Sequence, residues 1–436
     1  MGKSEELVMQ NSSKPDISAG LKKAVFAAAL GNAIEWFDYA SYGYLAAIIA
    51  TVFFPPGDRT AALLGAFAVF AVSFIVRPIG GIFWGNFGDK IGRRRTLIYT
   101  ISIMSIATFT IGLLPGYSVI GIWAPLLLMM IRMVQGFAAS GEYAGSASFI
   151  SEYAPKGKRG LLVSMVPAST AAGLMFAALV TSLLDYYLSS GALHSWGWRI
   201  PFLIALPLGY LGLFIRLRLE DTPVFKKLEK AEPEEEKRGL RALKPYWKKI
   251  LIAFGVVLLN AVGFYIILSY MPTYLMEEVG FSRLHGTLIT LVTLFTYVFI
   301  LPLIGHLADL VGRKRVLMTT CVFFVLFTYP VFLLLSQGGF WSILALFLLG
   351  AFLAGNDGVL ATFLTEMFPT SVRFTSFGLA FNTGNALFGG TAPFVATYLI
   401  ALTNNQFAPA FYLMAAATVC FISLIQTTET AHKDLS

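Results

Sequence analysis

The chain has 436 residues, of which 57% are hydrophobic and only 13% charged, and its mean hydropathy is +0.72. Soluble proteins carry about a quarter charged residues, so this composition excludes a water-soluble fold and makes lipid the solvent for most of the surface. The net charge of +8 therefore calls for an explanation other than nucleic-acid binding, and its distribution along the chain supplies one.

In lipid the backbone must satisfy its own hydrogen bonds, which leaves helix bundles or closed barrels. The apolar runs are continuous over about twenty residues, the length of a spanning helix, so helices are predicted. The first covers 24–50; it contains Glu35 and Asp38, lacks a small-residue cleavage site, and reads as a retained helix and not a signal peptide. Five more follow at 61–85, 96–114, 122–148, 161–185 and 200–217. A second set of six is predicted at 248–275, 284–307, 315–335, 341–364, 374–402 and 409–427. The expected organisation is a tail over 1–23, a six-helix bundle over 24–217, a linker over 218–247, a second bundle over 248–427 and a tail over 428–436. The linker's core, Glu229 to Arg241, has mixed charge and reads as a solvated tether. Cys321 and Cys420 fall inside apolar runs and imply neither a disulfide nor a metal site.

Of the 32 lysines and arginines, Arg59, Arg199 and Arg283 fall in one set of loops, Arg77 and Arg132 lie inside helices, and the other 27 are in the opposite loops and tails. Basic residues mark the cytoplasmic side. The asymmetry puts both termini in the cytoplasm and gives the net charge a topological meaning; the expected location is a bacterial inner membrane.

Two sequence pairs repeat. Gly85-Asn-Phe-Gly-Asp89-Lys-Ile-Gly92-Arg93 after helix two matches Gly305-His-Leu-Ala-Asp309-Leu-Val-Gly312-Arg313 after helix eight. Glu152-Tyr-Ala-Pro155 leading to Arg159 matches Glu366-Met-Phe-Pro369 leading to Arg373. Matched pairs at one depth in each half imply a duplicated six-helix unit.

The paired Gly85–Arg95 and Gly305–Arg315 loops resemble the signature of the major facilitator superfamily. More narrowly, Gly31-Asn32-Ala-Ile-Glu35-Trp36-Phe37-Asp38, Arg77-Pro-Ile-Gly-Gly81, Gln135-Gly-Phe137, Gly141-Glu-Tyr143 and Trp196-Gly-Trp-Arg-Ile-Pro201 resemble the metabolite:proton symporter family. Ser269 to Leu275 and Asn382 to Tyr398 look most like its proline/betaine transporters. The resemblance implies twelve helices in two pseudo-symmetric bundles and alternating access. It also implies that Asp89 and Arg93, with Asp309 and Arg313 as a second copy, latch the inner faces together. An acid on helix one and an arginine on helix four play the coupling role in proton-coupled sugar carriers of the superfamily, a position matched by Glu35 or Asp38 with Arg132. The chain ends at Ser436, soon after the last helix and without the coiled-coil extension of osmosensing members, so the resemblance does not carry over osmotic sensing.

A charge at the bilayer centre costs about 2.5–3.5 kcal/mol on insertion scales and needs a reason. Glu35 and Asp38 lie three residues apart on one helix face, with Asn32 and Tyr42 along the same stripe. Helix four carries Arg132, Gln135, Glu142 and Tyr143. Burial and a neighbouring like charge favour a carboxyl's protonated form, which is what a proton carrier requires. Arg132 can hold such an acid ionised or bind a solute carboxylate; a fixed ion pair fastening two helices is the plainer alternative. Glu142 reads either as a proton exit or as a packing partner of Arg77. Asp357 is the one acid deep in the second half, placed to line the cavity or to cap a broken helix.

Trp36, Tyr39 and Tyr42 on helix one and Phe264 and Tyr265 on helix seven offer faces for an ammonium group, with packing as the alternative for each. Asn260 and Asn382 are further candidates for the solute. The expected activity is proton-driven uptake of a small zwitterion such as proline or betaine, with a di- or tricarboxylate as the alternative and a non-transporting sensor as the remote one. A polycarboxylate calls for more cavity cations than Arg77 and Arg132. There is no P-loop to engage ATP, no cofactor is expected, and a monomer suffices.

Overall fold

The structure, a computed structural model, describes residues 17–219, 221–222, 225, 239–281, 283–431 and 433–435. Most of the predicted linker and the first sixteen residues lie outside the described residues. Among the described residues, eleven helices are long and apolar enough to cross a bilayer. The twelfth is Ile17–Tyr44 (α1), continued after Leu45 by Ala46–Phe53. Its Asn32, Glu35 and Asp38 lower the hydropathy of a segment that packs like the others. The first half continues with Ala61–Ile91 (α2), Arg93–Leu113 (α3), Trp123–Tyr153 (α4), Arg159–Tyr187 (α5) and Arg199–Leu217 (α6). The second comprises Lys244–Glu277 (α7), Leu291–Val311 (α8), Arg313–Leu335 (α9), Gly339–Met367 (α10), Arg373–Thr403 (α11) and Ala408–Ile425 (α12).

Several helices outrun their apolar stretch. The expected loops between helices two and three, and eight and nine, shrink to single joints at Gly92 and Gly312, with φ of 105° and 115°. L side chains rarely adopt that backbone, so the joint selects glycine. Lys90 and Arg93 to Arg95 belong to the flanking helix turns, because long cationic side chains reach away from a helix end without unwinding it.

Within the first half α1 packs on α5 and α3 on α6; within the second α9 packs on α10 and α12, and α7 on α12. The halves meet along two seams, α2 with α11 and α5 with α8. Exchanging the halves turns one seam into the other, so both descend from a single duplicated contact. Close approach accounts for the glycines here. A Cβ on Gly85 would stand 2.5 Å from the Thr375 Cα, and one on Gly305 would strike the Gly160 carbonyl. Gly85 is therefore a helix-contact residue.

Candidate translocation site

Apart from those of the repeated motifs, three buried ion pairs organise the first half. Glu35 of α1 accepts from Arg77 of α2 at 3.1 Å. One turn on, Asp38 accepts from Arg132 at 3.3 Å and from Gln135 at 2.8 Å, and Gln135 also donates to Thr108 at 2.7 Å. Glu142 pairs with Arg216 at the end of α6 and accepts from Thr100 and Ser146. The expected packing of Glu142 on Arg77 is thus corrected: Arg77 points to Glu35, and the last turn of α6 supplies the partner of Glu142.

Around the first of these pairs, aromatic rings from both halves close a box. Arg77 lies over the rings of Tyr39 at 4.5 Å and Phe74 at 4.8 Å. Trp36 packs on Phe264 at 5.1 Å and Phe74 on Tyr265 at 5.8 Å, contacts that bridge the halves. Glu35 Oε2, Trp36 Nε1, Arg77 Nε and Tyr265 Oη are buried here without a hydrogen-bond partner. Buried polar groups are nearly always paired, so four orphans around one box mark a place suited to a polar solute. α7 and α11 each carry a π-helical turn beside it, Tyr265–Tyr270 and Asn385–Gly389, a distortion frequent at functional sites.

Asp357 of α10 is held by Asn260 at 2.9 Å, by the Tyr143 hydroxyl at 3.4 Å from the other half, and by the hydroxyl of Tyr297. Four other expected site residues stand apart from the box. Asn32 donates to the Val166 carbonyl, Ser169 and Thr170, fastening α1 to α5. Tyr42 donates to the Ala66 carbonyl and lies under Arg132, Gln135 belongs to the Asp38 network, and Asn382 crosses the α4–α11 contact to the Ser140 carbonyl.

On the basic side the repeated motifs form two clasps. Asp89 accepts the N–H groups of Phe374 and Thr375 at 3.1 and 2.9 Å; Asp309 accepts those of Gly160 and Leu161, both at 2.9 Å. Each aspartate thus caps the first turn of a helix from the other half, where orphan N–H groups and the helix dipole favour an anion. Arg93 pairs with Asp89 at 3.2 Å and Glu152 at 3.1 Å, and Arg373 reaches the same Glu152 at 2.7 Å. Arg313 pairs with Asp309 at 2.8 Å and Glu366 at 3.3 Å, and Arg159 reaches that glutamate at 3.6 Å. Gly85, Gly92 and Gly312 supply the close approach and the joints, and both copies of the motif make matching contacts.

A third repeated pair escaped the sequence reading, although the signal was there: Asp221-Thr222 after α6 and Glu429-Thr430 after α12. Asp221 accepts the Arg93 N–H at 3.2 Å and Glu429 that of Arg313 at 2.8 Å, while Thr222 and Thr430 donate to Glu152 and Glu366. Burial pushes the Asp221 carboxyl up from its ordinary value. Burial pushes Glu429 the same way, but backbone N–H groups of Ala431, Arg313 and Lys314 outweigh it and hold that carboxyl below its usual value. Phe74 and Tyr297 were also missed; among so many aromatics in apolar helices neither has a distinguishing signal.

Two clasped bundles of spanning helices, with an ion pair and unsatisfied polar atoms close to where they meet, have the architecture of a membrane transporter. The family described as "Sugar (and other) transporter" matches residues 24–249, and "Major Facilitator Superfamily" matches 253–435. The chain is 40% identical to the glycine betaine/proline/ectoine/pipecolic acid transporter OusA of Dickeya dadantii and to the proline/betaine transporter of Escherichia coli, covering 95% of this chain and 85% of each relative. Its fold matches the proton:xylose symporter XylE bound to 6-bromo-6-deoxy-D-glucose with a TM-score of 0.83 at 19% identity, over 96% of this chain and 98% of that one. A partially occluded inward-open form of XylE from E. coli matches with a TM-score of 0.73 at 19% identity, over 96% and 100%. The chain belongs to the major facilitator superfamily, in the family that contains the proline/betaine transporters.

Proposed function

We propose that the chain is a proton-coupled symporter that imports a small zwitterion of the proline or glycine betaine kind by alternating access. The observation that carries this reading is the box between the halves, where Arg77, aromatic faces and orphaned polar atoms meet. The arginine suits a carboxylate and the rings suit an alkylated ammonium. The names of the 40%-identical relatives agree with it. Against a polycarboxylate stands the number of cations: Arg132 and Arg216 are taken up by Asp38 and Glu142, which leaves Arg77, shared with Glu35, as the one arginine at the box.

Glu35 and Asp38 form the proton-coupling group. Each loses its arginine when α1 shifts against α2 and α4, and an acid separated from its cation in a buried site takes up a proton. The clasps close the basic side, which on this reading faces the cytoplasm of a bacterium, and the clasps must part for release. Each chain contains a whole pathway and works as a monomer.

The test is uptake of labelled proline, glycine betaine, citrate and alpha-ketoglutarate into proteoliposomes under an imposed pH gradient. Betaine or proline uptake that collapses with a protonophore is expected; uptake of citrate alone would overturn the reading.

A further inference from the structure

Of the four acids discussed above that lie within the spans away from the clasps, three have an arginine and one does not. Glu35, Asp38 and Glu142 pair with Arg77, Arg132 and Arg216. Asp357 is 3% exposed and accepts only neutral donors, Asn260, Tyr143 and Tyr297, with no cation in ion-pair reach among the described residues. Three neutral hydrogen bonds orient a carboxylate but leave its charge uncompensated. Its place is suggestive as well. Tyr143 comes from the first half and the other donors from the second, so Asp357 sits at the junction of the halves. Asn260 lies one turn from Phe264 on α7, and the Phe264 ring packs on Trp36 in the wall of the aromatic box.

We infer that Asp357 is the counter-ion for the cationic nitrogen of the transported solute, an assignment that rests on the zwitterion reading above. The solute then lies between two fixed charges of opposite sign, its carboxylate toward Arg77 and its nitrogen toward Asp357, with rings covering its alkyl groups.

The probe is glycine betaine against 3,3-dimethylbutanoate, which has the same shape with an uncharged carbon in place of the nitrogen. Proteoliposomes give the betaine KM and the inhibition constant of the isostere, and their ratio is the preference for positive charge. Asp357→Asn is expected to lower that preference by at least about tenfold, through loss of the attraction between two opposite charges, and Asp357→Glu to retain it. Thermal unfolding in detergent shows that each variant is folded. A folded Asp357→Asn protein with the wild-type preference overturns the inference, and losing only pH-driven accumulation would make Asp357 a proton carrier instead. Replacing sodium with potassium separates the solute's nitrogen from an inorganic ion: sodium dependence that Asp357→Asn abolishes also overturns it. Wild-type vesicles that take up neither betaine nor proline would sink the zwitterion reading and this inference together, whereas betaine uptake with an unchanged ratio sinks this inference alone.

Discussion

Thr375 meets the Asp89 carboxylate twice, through its N–H at 2.9 Å and its hydroxyl at 2.7 Å, across 286 residues of sequence. Opening the basic side must break both bonds, and the Asp309 bonds to Gly160 and Leu161 with them. On the alternating-access reading proposed above, the clasps set the balance between a closed and an open basic side.

Asp89→Asn keeps an acceptor but removes the charge. The closed form should lose about 1.5–3 kcal/mol, the range for a hydrogen bond to a charged group, which shifts the populations roughly ten- to a hundredfold toward the open inner side. Ser151 accepts from Thr365 across the halves at 3.1 Å and is buried while the clasps hold. Cys321 and Cys420 are buried, and replacing both with alanine gives a cysteine-free background. With Ser151→Cys as reporter, labelling from the basic side of inside-out vesicles should rise in the Asp89→Asn protein. Unchanged labelling would show that these bonds do not hold the gate.

Glu142 was a candidate for the proton path, but its surroundings are those of a fixed tie between helices. Arg216 also donates to the carbonyls of Leu97 and Ala27, joining α1, α3, α4 and α6. Arg216→Met leaves a buried carboxylate without its cation and should cost about 3–5 kcal/mol, read as a large drop in melting temperature in detergent. Adding Glu142→Gln should recover much of that loss, and Glu142→Gln alone should keep pH-driven accumulation. Loss of accumulation in a protein of normal stability would return Glu142 to the proton path.

These two sites show what could be read in advance and what could not. Lipid imposes a one-dimensional rule on composition, so helix number follows from the apolar runs. Internal repetition exposed the clasps, since Asp89 and Asp309 occupy matched positions. Pairing between helices depends on rotation and on how far an arginine reaches, and neither has a sequence signature. Arg216 looked like one more basic residue at a helix end, yet it is 2% exposed and holds Glu142. Arg77 has two acids of α1 within one helical turn, and only the packing of α2 decides for Glu35.

Glu429 introduces a pH dependence outside the membrane. Its carboxyl is held below the ordinary value of 4.5 by backbone N–H groups, against burial. Its folded pKa is thus below the unfolded one. The stabilisation is fully present above the unfolded value and is lost as pH falls through the folded value. Glu429→Gln should therefore lower the melting temperature at pH 7, and the difference from wild type should vanish in strong acid. A difference that is constant across the range would mean that the cap acts through its geometry and not its charge.

Asp38 and Glu35 can be separated because their arginines have different company. Without Asp38, Arg132 keeps the Gln135 side chain at 2.8 Å and the rings of Tyr42 at 4.3 Å and Tyr39 at 4.8 Å. Those contacts compensate part of its charge, so Asp38→Asn should fold. As a permanent mimic of the protonated acid, it should exchange labelled solute across the membrane at equal concentrations while losing accumulation driven by a pH gradient. Glu35 differs in competing for Arg77 with any solute carboxylate. Glu35→Gln removes the competitor, so the solute's KM should fall, by about tenfold if one ion-pair contact of roughly 1.4 kcal/mol is relieved. Measuring exchange, accumulation and KM for both variants assigns the roles. Full uphill uptake by Asp38→Asn would take the proton from Asp38 and give it to Glu35. An unchanged KM in Glu35→Gln would mean that the solute's carboxylate does not reach Arg77.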